Sequence, residues 1–163
     1  TGSLGQGIST ACGMALGAKL SGKSFRVFTI LGDGEIQEGQ VWEAAMYASA
    51  KGLDNLVAVV DNNGLQIDGK IEEVNSPYPI PEKFKAFGWN VIEIDAHSFD
   101  EIDAAFNAAA EFKGKPTAII ANSVKGKGVS YMEDKCEWHG QAPGEELYNT
   151  AIADLTAIAE SLK

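Results

Sequence analysis

Hydrophobic and polar positions follow two periodicities along this chain, and together they predict alternating strands and helices. Runs of β-branched and aromatic residues at 25–31 and 56–61 predict buried strands, and similar runs at 89–94 and 117–121 predict two more. Between these runs, apolar residues recur at spacings of three and four, which is the helical period. The predicted helices cover 5–20, 38–51, a short stretch ending at Phe87, 98–113 and the chain from 144 onward.

The order of these elements predicts the fold class. Alternating strands and helices favour an α/β fold with a doubly wound, mainly parallel sheet and helices on both faces. Ser98 and Glu101 form a capping-box pattern at the start of one helix, and Gly114 follows its end. We expect residues 1–163 to form a single domain in which the polar, glycine-rich stretch 123–143 is a functional loop.

Two polar segments follow directly after predicted strands, and we call them the clamp: Gly32-Asp33-Gly34 and Asp61-Asn62-Asn63. Open α/β sheets bind ligands at the carboxyl ends of their strands. An Asp between two glycines can ligate a hard cation while the glycine backbone approaches phosphate oxygens, and a later Asn adds a neutral oxygen. The clamp therefore predicts a site for Mg²⁺ or Ca²⁺ with a diphosphate. Taken singly, Asp33 also fits an ordinary turn, and Asp61 is interpreted as a loop cap.

Residues 17–24 match the P-loop pattern letter for letter, but their context is wrong. A P-loop follows a strand and opens a helix, so that backbone N–H groups face the phosphates. Here a predicted helix precedes the glycines and a predicted strand follows them. The segment is therefore interpreted as the end of a helix that carries lysines.

Composition and charge narrow the function classes. The chain has 163 residues, 45% of them hydrophobic, which suits one globular domain with a sizeable core. A formal charge of −10 argues against nonspecific binding to nucleic acid or to an anionic membrane. Cys12 and Cys136 lack metal-ligand spacing, and we interpret both as reduced thiols of a cytoplasmic protein. No apolar run approaches the roughly 20 residues that span a bilayer.

Four segments, in this order, resemble the transketolase family of thiamine diphosphate enzymes. They are the N-terminal turn (residues 1–7, TGSLGQG), residues 32–39 (GDGEIQEG), residues 61–69 (DNNGLQIDG), and Trp138-His139-Gly140 with Ala142-Pro143. A lone Gly-Asp-Gly is a weak signal, but the ordered set covers almost the whole chain. The resemblance implies thiamine diphosphate and Mg²⁺ or Ca²⁺ as cofactors.

The resemblance also implies which residues hold the cation and the diphosphate. Asp33 and Asn63 would bind the cation through their side chains, and Leu65 through its backbone carbonyl. Gly32 and Gly34 would lie against the diphosphate. Oxygens of the diphosphate and water would complete the cation's shell.

Other matching positions concern the rest of the cofactor. Gly2 and Leu4 would touch its aminopyrimidine end, and Ile67 would lie against the thiamine rings. His139 would face the diphosphate and the reacting carbon, where it could donate a hydrogen bond or move a proton. From the residues alone, Ile67 also fits a loop aliphatic tucked into the core, and His139 a structural histidine. His97 is interpreted as a surface residue.

Charged residues near these motifs have two interpretations each. The resemblance places Glu38 and Glu43 at a subunit interface, in a carboxylate network between paired active sites, although a solvated acidic helix face also fits. Lys125 and Lys127 could add positive charge near phosphate, or could be solvated loop charges.

The resemblance implies ketol transfer. A two-carbon ketol unit would pass from a ketose phosphate to an aldose phosphate, with thiamine diphosphate as the electron sink. This activity implies a place in the pentose phosphate pathway. The carboxylate that activates the aminopyrimidine belongs to a second, pyrimidine-binding domain, for which this chain offers no candidate. We therefore expect a homo- or hetero-oligomer in which this chain is the N-terminal subunit of the split, two-chain type, incomplete at its N-terminus and inactive without its C-terminal partner subunit.

Three alternatives remain at this point. A 1-deoxyxylulose-5-phosphate synthase shares the clamp, although residues 37–39 and 138–140 are closer to transketolase. A P-loop nucleotide binder would require the elements around residue 17 to be reversed. A non-catalytic scaffold would keep the sheet without binding the cofactor.

Overall fold

A computed structural model describes residues 2–162 and contains twelve regular elements in that range. In chain order they are α1 (Gln6–Leu20), β1 (Val27–Gly32), α2 (Gly39–Ala50), β2 (Leu56–Asn62), β3 (Leu65–Gln66), β4 (Gly69–Lys70), α3 (Ile71–Asn75), α4 (Ile80–Ala86), β5 (Asn90–Asp95), α5 (Phe99–Glu111), β6 (Thr117–Asn122) and α6 (Glu145–Ser161). Two short 3₁₀ turns, Glu35–Gln37 and Cys136–His139, lie between them. Thr1, the first residue of the N-terminal turn, lies outside the described residues.

Four parallel strands form the main sheet, in the spatial order β1–β2–β6–β5. In the register, Gly32 lies opposite Asp61, and Asn62 lies opposite Asn122. The carboxyl ends of β1, β2 and β6 therefore meet at one edge. This arrangement confirms the predicted parallel sheet and brings both clamp segments to that edge.

Helices cover both faces of the sheet, as predicted. On one face, α1, α2 and α4 contribute Ile8, Val41 and Phe84 to a buried core that also contains Leu31 and Leu56 of the sheet. On the other face, Ala105 and Ala109 of α5 lie in a smaller buried cluster with Val57, Ile119 and Ile94. Because successive side chains of a strand point to opposite faces, β2 and β6 supply apolar side chains to both clusters.

The structure differs from the sequence predictions mainly after β2. The hairpin formed by β3 and β4 and the five-residue α3 were not predicted, because their residues are mostly polar and too few to show a period. Strand boundaries shift by one or two residues. The helix predicted to end at Lys113 ends at Glu111.

The capping-box prediction is half right. The Ser98 hydroxyl accepts a hydrogen bond from the Glu101 backbone N–H at 3.3 Å, as expected for an N-cap. The Glu101 carboxylate does not return to Ser98; it accepts from the Asp95 backbone N–H at 2.8 Å. Glu101 therefore ties the end of β5 to α5.

The P-loop-like segment has the order of elements that excludes a P-loop. Its residues leave α1 and enter β1, and Gly22 ends the helix with a φ of 66°. Lys19, within the segment, forms an ion pair with Asp54 at 2.6 Å. Among residues 2–162, no helix is both long and apolar enough to cross a membrane.

Candidate cofactor site

Asp33 lies just beyond the end of β1, and its side chain is turned into the protein. The residue is 1% exposed. One carboxylate oxygen accepts from the Gly34 backbone N–H at 2.9 Å, and the other accepts from the Gly64 backbone N–H at 2.6 Å. Burial raises the pKa of Asp33 above its usual value, and the nearby charge of Asp61 adds to the rise, although both backbone hydrogen bonds oppose it. A bound cation would stabilise the ionised form of this buried carboxylate.

The second clamp segment holds Asn63 in one orientation. Its Nδ2 donates to Asp61 Oδ2 at 3.1 Å, and its Oδ1 accepts from the Leu65 backbone N–H at 3.0 Å. The other oxygen of Asp61 accepts from the Ser123 hydroxyl, just beyond β6. Asp61 is thus more than a loop cap, because it links the end of β2 to the end of β6.

Two hydrogen bonds tie Asp33 to the second clamp segment and to the residue that follows it. The Asp33 backbone N–H donates to the Asp61 carbonyl at 3.1 Å, which extends the β1–β2 ladder by one residue. In the second bond the donor lies after β2 instead of after β1: the Gly64 backbone N–H donates to the Asp33 carboxylate. The clamp is therefore held together by hydrogen bonds within the chain itself.

The β3–β4 hairpin presents Leu65 and Ile67 beside the clamp. Leu65 begins β3 and is half-buried. Ile67, between the two strands, is 67% exposed, so the interpretation that it is tucked into the core is wrong. A Cβ on Gly34 would lie 3.3 Å from Gln66 Cβ. The hairpin thus approaches the clamp closely at a position where a side chain would push it away.

The N-terminal turn reaches the clamp through Glu35. Gly2 and Leu4 are exposed, Leu4 by 48%. The Gly5 backbone N–H donates to Glu35 Oε1 at 2.9 Å, and the Gly32 backbone N–H donates to Glu35 Oε2 at 3.0 Å. One carboxylate therefore connects the predicted aminopyrimidine-contacting turn to the predicted diphosphate-contacting turn.

His139 ends the second 3₁₀ turn, which lies beside β3. Its ring is exposed, and Nδ1 lies 3.4 Å from Lys125 Nζ. Lys127 pairs instead with Glu133 at 3.6 Å. His97 is exposed, as predicted, and its Nε2 accepts from the Val124 backbone N–H at 2.8 Å, which anchors the start of the loop that carries His139.

The two predicted interface acids lie at the start of α2. Glu38 immediately precedes α2, and Glu43 lies in its second turn; both are exposed. Glu43 lines a shallow depression between α1 and α2 of about 370 Å³, together with Ser9, Cys12 and Tyr47. Their exposure fits an interface and a solvated helix face equally.

Three residues with contacts in the site carried no predicted role. Glu35 lies within the quoted 32–39 motif but had no assigned partner. Ser123 directly follows a predicted strand, so the shared sheet edge was a usable signal. Tyr78 donates from its hydroxyl to Asn62 Oδ1 at 2.9 Å, and burial raises the pKa of Tyr78, so that it stays a donor. Nothing in the local sequence marks that contact.

The donor set at the clamp fits a hard divalent cation. It offers the Asp33 carboxylate, the Asn63 amide oxygen and the Leu65 carbonyl, all oxygen ligands. Within residues 2–162, no three His, Cys, Asp or Glu side chains gather into a self-sufficient metal cluster. A cation here would therefore share its coordination with phosphate oxygens, which is the usual way in which Mg²⁺ is held.

Comparisons with known proteins agree with this geometry. Residues 1–155 match the family described as transketolase, thiamine diphosphate binding domain. The chain is 47% identical over 155 residues to the 6-deoxy-6-sulfo-D-fructose transketolase subunit SqwG of Clostridium sp. (strain MSTE9), covering 95% of this chain and 56% of that subunit. It is 40% identical over 163 residues to an apulose-4-phosphate transketolase subunit of Phocaeicola vulgatus, covering 100% of this chain and 58% of that protein.

Solved structures show the same relationship. The transketolase of Campylobacter jejuni superposes with a TM-score of 0.89 at 31% identity, over 94% of this chain and 25% of that enzyme. The chain spans a little over half the length of the two subunit relatives and about a quarter of the Campylobacter enzyme. From the matched residues and the shared fold, this chain belongs to the transketolase family and matches its thiamine diphosphate-binding domain.

Proposed function

We propose that this chain is the part of a transketolase that binds thiamine diphosphate and a divalent cation, and that the enzyme transfers a two-carbon ketol unit from a ketose phosphate to an aldose phosphate. The observation that carries the proposal is the preassembled clamp, in which Asp33 and Asn63 lie at the ends of neighbouring strands and Gly64 is hydrogen-bonded to Asp33 at 2.6 Å. Bound thiamine diphosphate supplies the electron sink for the reaction.

The residues of this chain bind and orient the cofactor. Asp33, Asn63 and the Leu65 carbonyl hold Mg²⁺ or Ca²⁺. Gly32 and Gly34 leave room for the diphosphate. The cation is needed because Asp33, Glu35 and Asp61 place negative charge at the edge where a diphosphate must bind, and the whole chain carries a formal charge of −10.

The remaining predicted residues act on the rest of the ligand. Gly2 and Leu4 contact the aminopyrimidine end, and exposed Ile67 packs against the thiamine rings. His139 donates a hydrogen bond or moves a proton near the reacting carbon. Lys125, at 3.4 Å from its ring, adds positive charge on the phosphate-binding side.

The active assembly contains a partner. A C-terminal pyrimidine-binding transketolase subunit supplies the carboxylate that activates the aminopyrimidine, and Glu38 and Glu43 lie at the interface in a homo- or hetero-oligomer. Two relatives named as transketolase subunits support this arrangement. Sugar phosphates are the substrates, and we propose a cytoplasmic role in the pentose phosphate pathway.

A calorimetric titration tests the proposal. The complete polypeptide is titrated with thiamine diphosphate, with and without Mg²⁺ and with and without the partner subunit. Asp33→Ala is the test variant, Glu111→Gln on exposed α5 is the matched control, and ATP serves as competitor. We expect Mg²⁺-dependent binding that Asp33→Ala abolishes, that the control and ATP leave unchanged, and that the partner strengthens.

Each other result favours a named alternative. Binding displaced by ATP would favour a nucleotide site, and no binding with the partner present would favour a non-catalytic scaffold. Cofactor binding with 1-deoxyxylulose-5-phosphate synthase activity in place of ketol transfer would favour that enzyme.

With the cofactor bound, His139→Ala is expected to lower kcat for ketol transfer while leaving the cofactor affinity near the wild-type value.

A further inference from the structure

We propose that Glu35 is a positioning residue that couples the N-terminal turn to the clamp, so that both ends of thiamine diphosphate meet one preorganised unit. The inference rests on the proposed function, because it assigns the two coupled segments to the two ends of that cofactor. Among the described residues, the Glu35 side chain makes no hydrogen bond to Asp33, Asn63 or Leu65, and it acts through the backbone N–H groups of Gly5 and Gly32.

The geometry of the Glu35 carboxylate suits this role. Its two oxygens accept from two backbone donors in different parts of the chain, Gly5 N at 2.9 Å and Gly32 N at 3.0 Å. Glu35 itself is fixed as the first residue of a 3₁₀ turn that directly follows the clamp residue Gly34. Hydrogen bonds to a charged acceptor are stronger than those between neutral groups, so the bridge is stiff.

Within the N-terminal turn, residues 2–5 depend on this bridge, whereas Gln6 is held separately by its side-chain hydrogen bonds to Gln40 at 2.7 and 3.0 Å. Among the described residues, no other hydrogen bond joins residues 2–5 to a part of the chain beyond α1. Gly5 is buried with a φ of 78°, and a Cβ there would lie 3.0 Å from Glu38 Cβ. The turn is therefore seated closely against the segment after the clamp, in a backbone conformation that favours glycine.

The clamp has supports of its own. Asp33 is bonded to Gly34, Gly64 and Asp61 without help from Glu35, and Gly32 is the clamp residue whose N–H uses the bridge. Loss of the bridge should therefore loosen the N-terminal turn much more than the clamp. The affinity for a ligand that contacts both segments should therefore fall, whereas the affinity for a ligand that contacts the clamp alone should change little.

Glu35→Gln in the complete enzyme, assembled with its pyrimidine-binding partner, tests the coupling. Glutamine keeps the shape but replaces one acceptor oxygen with an N–H donor that faces a backbone N–H. Two probes are compared in the presence of Mg²⁺: thiamine diphosphate, which uses both segments, and inorganic diphosphate, which uses the clamp. Glu111→Gln is the matched control.

We expect the dissociation constant of thiamine diphosphate to rise roughly ten- to hundredfold, as for loss of a hydrogen bond to a charged group, while that of inorganic diphosphate stays near its wild-type value. Hydrogen–deuterium exchange should accelerate in residues 2–8 and not in residues 61–65. Equal losses for both probes, or no loss for either, would overturn the coupling.

A second variant keeps the test decisive if Glu35→Gln does not fold. Gly5→Ala disturbs the turn from its other side without touching the clamp, and should give the same split between the two probes. A wild-type enzyme that binds neither probe would contradict the proposed function itself. In that case the exchange rates of residues 2–8 in Glu35→Gln would still decide whether Glu35 holds the turn.

Discussion

The side-chain amide of Asn63 is oriented by Asp61, whose Oδ2 accepts from Asn63 Nδ2 at 3.1 Å. Because a carboxylate accepts and never donates, the contact identifies the nitrogen end of the amide. The oxygen end accepts from the Leu65 N–H and is the end that can ligate a cation. Asp61 in turn accepts from Ser123, so the end of β6 supports the orientation of a residue that follows β2.

Asp61→Ala is expected to weaken Mg²⁺-dependent binding of thiamine diphosphate by roughly tenfold or more, as is common when a partner behind a metal ligand is removed. The reason is that the freed Asn63 amide can rotate its nitrogen toward the cation. Calorimetry on Asp61→Ala, on Asn63→Ala and on the double variant measures the effect. Because Asp61 acts through Asn63, its removal should cost little more once Asn63 is absent. Additive losses would show an independent role for Asp61.

Gly34→Ala is expected to weaken cofactor binding through a steric effect alone. The added Cβ would lie 3.3 Å from Gln66 Cβ, so the β3–β4 hairpin that carries Leu65 must move by a few tenths of an ångström. Gly39→Ala is the matched control, because a Cβ there meets no atom of residues 2–162 within 4 Å. Titration with thiamine diphosphate and Mg²⁺ should show reduced affinity for the first variant only. Equal affinities would show that the hairpin adapts.

The strands and the clamp could be predicted because their signals are local. The apolar runs around Leu31 and Val60 identify buried strands whatever packs on them, and parallel strands bring the following residues to one edge. The positions of Asp33 and Asn63 relative to each other follow from that rule. The order of elements around residue 17 likewise sufficed to reject a P-loop.

Contacts between distant segments could not be predicted in the same way. The bridge from Glu35 to Gly5 depends on how α1 packs against the segment before α2, and no periodicity encodes that distance. The hairpin at 65–70 has only two residues in each strand, too short for alternation to be visible. For Ile67 the sequence left two environments open, and exposure of 67% excluded one of them.

Gly126→Ala is expected to disturb the loop that carries His139. Gly126 has a φ of 72°, and a Cβ there would lie 2.6 Å from Met132 Cβ and 2.7 Å from the Met132 carbonyl oxygen. Gly114→Ala is a matched control, since Gly114 has a φ of 88° but its Cβ position has no neighbour within 4 Å in the described part of the chain. Backbone strain should lower the free energy of unfolding of both variants by about 1 kcal/mol. Gly126→Ala should lose more stability than Gly114→Ala, because its Cβ also meets Met132. Urea unfolding measures both, and similar losses would mean that the loop relaxes freely.

Cys12 should make the stability of the fold sensitive to alkaline pH. The residue is 3% exposed at the contact between α1 and α2. Burial raises the pKa of the Cys12 thiol from 9.0 to about 11. Because folding raises this pKa, the unfolded chain releases the thiol proton first. The stabilisation is complete below about pH 9 and is lost as the pH rises toward about 11.

The Cys12→Ala variant separates this effect from other alkaline titrations. At neutral pH it should be less stable by about 1 kcal/mol, because a sulfur atom is removed from a packed contact. Between pH 9 and 11 its free energy of unfolding should fall less than that of the wild type, by about 2–3 kcal/mol, since lysines and tyrosines titrate in both proteins. Urea unfolding across this range, without cofactor, measures the difference. Parallel pH profiles for the two proteins would mean that the Cys12 thiol ionises in the folded state as readily as in the unfolded chain.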